Sequence, residues 1–243
     1  MILFTNFLSV AKLATDDYVG FTFFVGSMAM MAASAFFFLS LNTFDKKWRT
    51  SILVSGLITF IAAVHYFYMR DYWAANYVPR SPTFFRYVDW LLTVPLMCVE
   101  FFLILKVAGA KKSLMWRLIF LSIIMLVTGY FGEAVDKDNA AIWGLVSGIA
   151  YFVIVYDIWF GKAKKLAEAA GGSVLAAHKT LCWFVLVGWA IYPLGYMAGT
   201  DGWYSALHSL NLDMDIIYNI GDAVNKIGFG LVIYNLAIQS SEK

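Results

Sequence analysis

Seven stretches of this 243-residue chain are apolar for about the length of a bilayer core, and that restricts its fold more than any other feature. A hydrocarbon layer of about 30 Å takes roughly 20 residues as helix, and lipid offers no partner to an unpaired backbone N–H or C=O. The stretches fall at 18–41, 51–69, 84–105, 115–133, 141–160, 180–199 and 214–237. Composition agrees, with 61% hydrophobic and 14% charged residues, where a soluble domain has about half and about a quarter. The apolar runs are continuous rather than alternating, so helices are predicted and a β-barrel is not. The expectation is an all-α membrane protein, a seven-transmembrane-helix bundle forming one domain over residues 1–243. Residues 1–17 support a signal peptide only weakly, because no basic residue precedes their apolar part and no small-x-small cleavage pattern follows, and an interfacial lead-in is the other reading left open.

Basic residues set the predicted orientation. The connections after spans one, three and five, with the tail, hold twelve: Lys46, Lys47, Arg49, Lys106, Lys111, Lys112, Arg117, Lys162, Lys164, Lys165, Lys179 and Lys243. The other side holds four, Lys12, Arg70, Arg80 and Lys137. The amino end is therefore expected outside and the carboxyl end in the cytoplasm. Cys98 and Cys182 both lie in apolar segments and define no disulfide framework. A formal charge of +2 gives no reason to expect nucleic acid as a partner. The lipid bilayer is the partner the composition demands.

Against this background the third span, "RYVDWLLTVPLMCVEFFLIL", is anomalous, because it carries Arg86, Asp89 and Glu100. Each such group costs about 2.5–3.5 kcal/mol to insert and marks function by default. Asp89 and Glu100 are eleven residues apart. That separation returns to within about 20° of one helix face and spans roughly 16 Å. Arg86 and Thr93 fall on the same stripe as Asp89, where the arginine can hold Asp89 ionised. Glu100 has only apolar neighbours in sequence, which favours its protonated form. One carboxylate able to accept and one acid able to donate make the two ends of a proton path. The plain alternative is a set of polar groups satisfied inside a bundle.

The seventh span supplies "DAVNKI", with Asp222 and Lys226 at i and i+4. A buried lysine suits a Schiff base with a carbonyl compound, and Asp222 and Asp89 can both serve as counter-anions. Spacing alone allows a structural ion pair equally well. The chain has no HExxH, GxGxxG, P-loop or CxxC pattern, so no conventional enzyme competes.

Taken together, "RYVDWLLTVPL", "GWAIYPLGY", "DAVNKI", "AAVHYFYMR" and "GYFGEA" resemble the microbial (type 1) rhodopsins, and among them the proteorhodopsin-like bacterial proton pumps. The resemblance covers nearly the whole chain in order. It implies all-trans retinal bound covalently to Lys226 and a light-driven outward proton pump in a bacterial cell membrane, as a homo-oligomer. It assigns Asp89 as proton acceptor and counterion, Asp222 as second counterion, Arg86 as organiser of that cluster, Thr93 as the middle of a D-T-E pattern, and Glu100 as proton donor. Sodium and chloride pumps carry other patterns, and sensory relatives generally lack a carboxyl donor. A sensory photoreceptor with the same chromophore is the alternative function, and a light-independent transporter is a further one. His65 matches the position that pairs with the acceptor and limits pumping at low pH, although a lone histidine usually just satisfies a core. Trp90 and Trp189 would sandwich the polyene, Tyr192 and Tyr218 would sit nearby, and Pro193 would kink span six. Met97, as an apolar residue, resembles the green-absorbing kind. Gly144 has two readings: a side window for a carotenoid antenna, or ordinary small-residue helix packing. Glu133 is expected at the outer face, with no transport step.

Overall fold

A computed structural model describes residues 14, 16–75, 81–200, 205 and 213–241. Its helices are α1 (Tyr18–Leu39), α2 (Lys46–Ala75), α3 (Thr83–Leu105), α4 (Lys112–Tyr130), α5 (Ala140–Trp159), α6 (Lys162–Ala170), α7 (Gly172–Trp183), α8 (Ile191–Gly199) and α9 (Met214–Ser241). They make seven spans long and apolar enough to cross a membrane. The fifth span runs through α5 and α6, and the sixth is α7 and α8 joined by an irregular segment. Most of the lead-in 1–17 and of the connection 200–213, and residues 76–80 of the connection 70–83, lie outside the described residues.

The spans observed are longer than the apolar stretches, most clearly α2 (Lys46–Ala75) against 51–69. The reason is physical: helix continues past the hydrocarbon limit wherever charged and polar turns can meet water or headgroups. Bulky apolar side chains such as Phe21, Phe60, Trp116 and Phe120 are exposed on the outside of the bundle. The buried interior holds polar residues alongside the packed core: Ser27, Ser51, Ser55, Thr59, Arg86, Asp89, Thr93, Glu100, Asn219, Asp222, Asn225 and Lys226. This arrangement suits lipid, where the polar groups must find partners within the protein. Serines knit α1 to α2, Ser27 Oγ donating to the Ala63 carbonyl at 3.0 Å and Ser34 Oγ to that of Gly56 at 3.3 Å. Pro95 lies inside α3, between Asp89 and Glu100.

Candidate functional site

The site is built from the meeting of α3 and α9. Lys226 Nζ donates to Asp89 Oδ2 and to Asp222 Oδ2, both at 2.5 Å, and all three side chains are essentially inaccessible. Helical spacing puts Asp222 one turn before the lysine, and the crossing of α3 brings Asp89 to the opposite side of the amine. Two carboxylates thus share one ammonium. Removing one partner of such a buried pair typically costs about 3–5 kcal/mol, because the remaining charge is stranded. Tyr192 Oη donates to Asp222 Oδ1 at 2.8 Å, and His65 Nδ1 stands 3.6 Å from Asp89 Oδ1.

Arg86 does not meet Asp89, contrary to the expectation from the shared stripe. Its guanidinium donates to Asp215 Oδ1 at 2.8 Å, Asn219 Oδ1 at 3.1 Å and Ser81 Oγ at 3.3 Å, and lies over the Tyr218 ring at 5.1 Å. The long side chain reaches away from Asp89 toward α9, while Lys226 takes the place of cation there. Thr93 is also differently employed, its Oγ1 donating to the Asp89 backbone carbonyl at 2.8 Å.

Glu100 lies at the other end of α3 from Arg86. Ser55 Oγ of α2 donates to its Oε1 at 2.9 Å, and Ser51, one turn earlier, also faces the carboxyl. Glu100 Oε2 has no hydrogen-bond partner, and no ion pair involves Glu100 among the described residues. The two carboxyls of α3 therefore share a helix face and differ in company.

Beside the charged cluster is a cavity of about 490 Å³. Trp90, Trp189, Tyr192 and Pro193 line it, together with Gly144, Gly148, Tyr151 and Phe152. Met97, Tyr218 and Lys226 are not among its walls. Met97 is buried in the adjoining core, and Tyr218 packs edge-on to Trp90 with ring centroids 5.5 Å apart. A volume of this size, walled by aromatic and apolar groups with a few polar atoms among them, suits a bulky apolar ligand. Retinal fits: its polyene matches the aromatic walls, and Tyr192 links those walls to Asp222 and so to the Lys226 amine. Gly144 lies in the wall of this cavity, and nothing stands within 4 Å of where a Cβ on Gly148 would lie.

Pro193 lies in the first turn of α8. The α-helical pattern of span six breaks earlier, in a π turn over Phe184–Gly188, and regular helix resumes at Ile191. Tyr87, which also lines the cavity, donates through its Oη to Glu133 Oε2 at 2.8 Å, in the π turn Phe131–Val135 that ends span four. Among residues that the sequence reading passed over, Ser55, Asp215, Asn219, Tyr151 and Asn225 hold the cluster or its surroundings. Asp215 was within reach, since it lies eleven residues before Lys226, the same separation that joined Asp89 to Glu100.

A bundle of seven membrane-length helices with a lysine buried between two carboxylates and an aromatic cavity nearby is the architecture of the retinal-binding membrane proteins. The chain matches the Bacteriorhodopsin-like protein family over residues 17–240 and belongs to it. It is 41% identical to a green-light absorbing proteorhodopsin of Gamma-proteobacterium EBAC31A08 over 235 residues, covering 94% of this chain and 90% of that protein. Its structure resembles that of a blue light-absorbing proteorhodopsin from Med12, with a TM-score of 0.75, 39% identity and coverage of 92% and 100%. Xanthorhodopsin, a light-driven ion pump with dual chromophore, aligns with a TM-score of 0.79 at 30% identity, covering 92% and 94%.

Proposed function

We propose that this chain is a light-driven pump that moves protons outward across a bacterial cell membrane, with retinal held covalently at Lys226 Nζ. The observation that carries the reading is the Lys226 amine, buried between Asp89 and Asp222 at 2.5 Å, with the cation-free Glu100 further along the same helix. Retinal, when bound, supplies absorption of visible light and a change in the direction and acidity of the proton on the lysine nitrogen. In the dark, Lys226 Nζ holds that proton against Asp89 Oδ2 and Asp222 Oδ2. After illumination Asp89 accepts it, while Asp222, tied by Tyr192, remains as the second negative charge. Arg86, anchored on Asp215 and Asn219, keeps a fixed positive charge between Asp89 and the outer side. Glu100 gives a proton back to Lys226 Nζ and refills from the cytoplasm. His65, 3.6 Å from Asp89, tunes the acceptor and limits pumping in acid.

Export against a membrane potential costs about 2.3 kcal/mol per charge per 100 mV. The two halves of the path must therefore never connect at once, and separate stations on one helix provide for that. The amino end faces outward and the carboxyl end the cytoplasm, and the protein assembles with copies of itself. A second chromophore is the additional reading that Gly144 favours, since this glycine lines the cavity wall. Carotenoid added to the pigment should then sensitise retinal, seen as a carotenoid band in the excitation spectrum of the photocycle, and absence of that band removes the reading.

The deciding experiment is the pH outside illuminated cells that express the protein with retinal. Acidification that a protonophore abolishes is expected. A visible pigment that forms without acidification would overturn the pump in favour of a sensory photoreceptor.

A further inference from the structure

Accounting for the backbone hydrogen bonds of span six exposes a latch that the proton path does not use. In an α-helix each N–H bonds the carbonyl four residues back. At the π turn Trp189 N–H instead bonds Phe184 O at 3.0 Å, Ala190 N–H bonds Val187 O at 3.2 Å and Tyr192 N–H bonds Trp189 O at 3.1 Å. The carbonyls that these three amides would take in regular helix are those of Val185, Leu186 and Gly188. Buried carbonyls require partners, and each of the three has one from another span. Tyr151 Oη of α5 donates to Val185 O at 3.1 Å and Leu186 O at 2.9 Å, and Asn225 Nδ2 of α9 donates to Gly188 O at 2.9 Å. Trp189 O would ordinarily serve the amide of residue 193, but Pro193 has none, which leaves it for Tyr192.

The clasp is fitted at its own atoms. A Cβ on Gly188 would run into Asn225 Oδ1, so only glycine lets the amide lie against that carbonyl. Asn225 is the immediate chain neighbour of Lys226, and Tyr151 lines the cavity beside Trp189. Breaks of this kind are where helices bend. The half of span six before the break, α7, packs at the Glu100 end, with the His178 ring 5.7 Å from that of Phe101.

We infer that Asn225 is a positioning residue, a latch that transmits movement of Lys226 to the π-turn hinge of span six and so governs when the Glu100 end opens. This rests on the pump reading for its purpose, while its mechanics can be tested separately. Displacement of the lysine backbone drags Asn225 Nδ2 from Gly188 O. That carbonyl then has no partner, and α7 swings about Phe184–Gly188. Tyr151 stays bonded on the other side and fixes the hinge axis.

The test places nitroxide labels on Ala176→Cys in α7 and Val107→Cys just beyond α3, both exposed, while the native Cys98 and Cys182 are buried. Distances are read by double electron–electron resonance on the retinal-reconstituted protein, in the dark and trapped after illumination. Asn225→Ala should raise the fraction of the longer, open distance in the dark by about 3–10-fold, the equilibrium factor carried by one buried hydrogen bond of ordinary strength. It should also slow the closing step of the photocycle by a similar factor. Gly188→Ala, which keeps the asparagine but pushes it off the carbonyl, should give the same shift, and the double variant should add nothing further. Unchanged distances in Asn225→Ala, or effects of the two substitutions that add, would overturn the latch. Asn225→Ala only removes atoms, so the question is answered even if Gly188→Ala fails to fold. Light-driven opening in a protein that exports no protons would sink the pump and leave the latch. Export with an Asn225→Ala distance distribution identical to wild type would do the reverse.

Discussion

Asp89 and Glu100 lie on one face of one helix, are equally hidden from solvent, and inhabit opposite electrostatic worlds. Asp89 has a lysine ammonium at 2.5 Å, a second carboxylate across it and a histidine at 3.6 Å. Glu100 has the hydroxyls of Ser55 and Ser51 and apolar packing. Burial alone drives any carboxyl toward its neutral form. What separates the two is the cation: the Lys226 ammonium lies against Asp89, and no cation lies against Glu100 among the described residues. On the proposed function, this contrast is what would let one helix carry an acceptor and a donor made of nearly the same functional group.

The largest effect comes from erasing the difference. Lys226→Ala leaves Asp89 and Asp222 facing each other with no counter-charge, so one of them must take up a proton. No pigment should form on adding retinal, and thermal stability should fall by about 3–5 kcal/mol. A visible band of normal intensity in this variant would remove the attachment site. Asp89→Asn ranks next, since it keeps the shape and discards one charge. The positive charge on the nitrogen is then less tightly held in the dark state, so absorption should move to the red, and outward transport should stop. Persistent light-driven acidification by Asp89→Asn would show that the acceptor lies elsewhere.

Glu100→Gln sharpens the contrast from the other side. Asp89 and its partners are untouched, so colour and pigment yield should match wild type. Return of the proton to Lys226 Nζ should slow by about 100-fold or more, the contribution typical of a positioned acid. Flash spectroscopy of the decay of the deprotonated pigment reads this directly, and an unchanged decay time would disqualify Glu100.

Much of this was legible in the sequence because helices write geometry as spacing. Eleven residues between Asp89 and Glu100, and four between Asp222 and Lys226, fixed which groups share a face before any coordinates. Spacing says nothing of which way a long side chain reaches. Arg86 therefore read as a partner of Asp89, whereas it spans to Asp215 and Asn219 on another helix. The same holds for Ser55, an unremarkable residue in sequence that becomes a hydrogen-bond donor to Glu100 once α2 and α3 pack. The π turn over Phe184–Gly188 was not legible for a different reason: the groups that meet its carbonyls, Asn225 and Tyr151, come from two other spans.

Ser55→Ala is the smallest perturbation and the finest probe of the comparison. It removes the hydroxyl that donates to Glu100 Oε1 and adds no charge, so both carboxyls of α3 remain. A net hydrogen bond of this kind contributes about 0.5–1.5 kcal/mol, which is about 2–10-fold in a rate or equilibrium. The hydroxyl stabilises Glu100 most when the acid has just given up its proton and carries charge. Its loss should therefore slow donation by that factor and leave the Asp89 step and the dark spectrum unmoved. Ser55→Thr, which restores a hydroxyl at the same Cβ, should recover most of the rate. If Ser55→Ala instead altered the dark colour, the two ends of α3 would be coupled, and the separation on which the acceptor–donor contrast depends would fail.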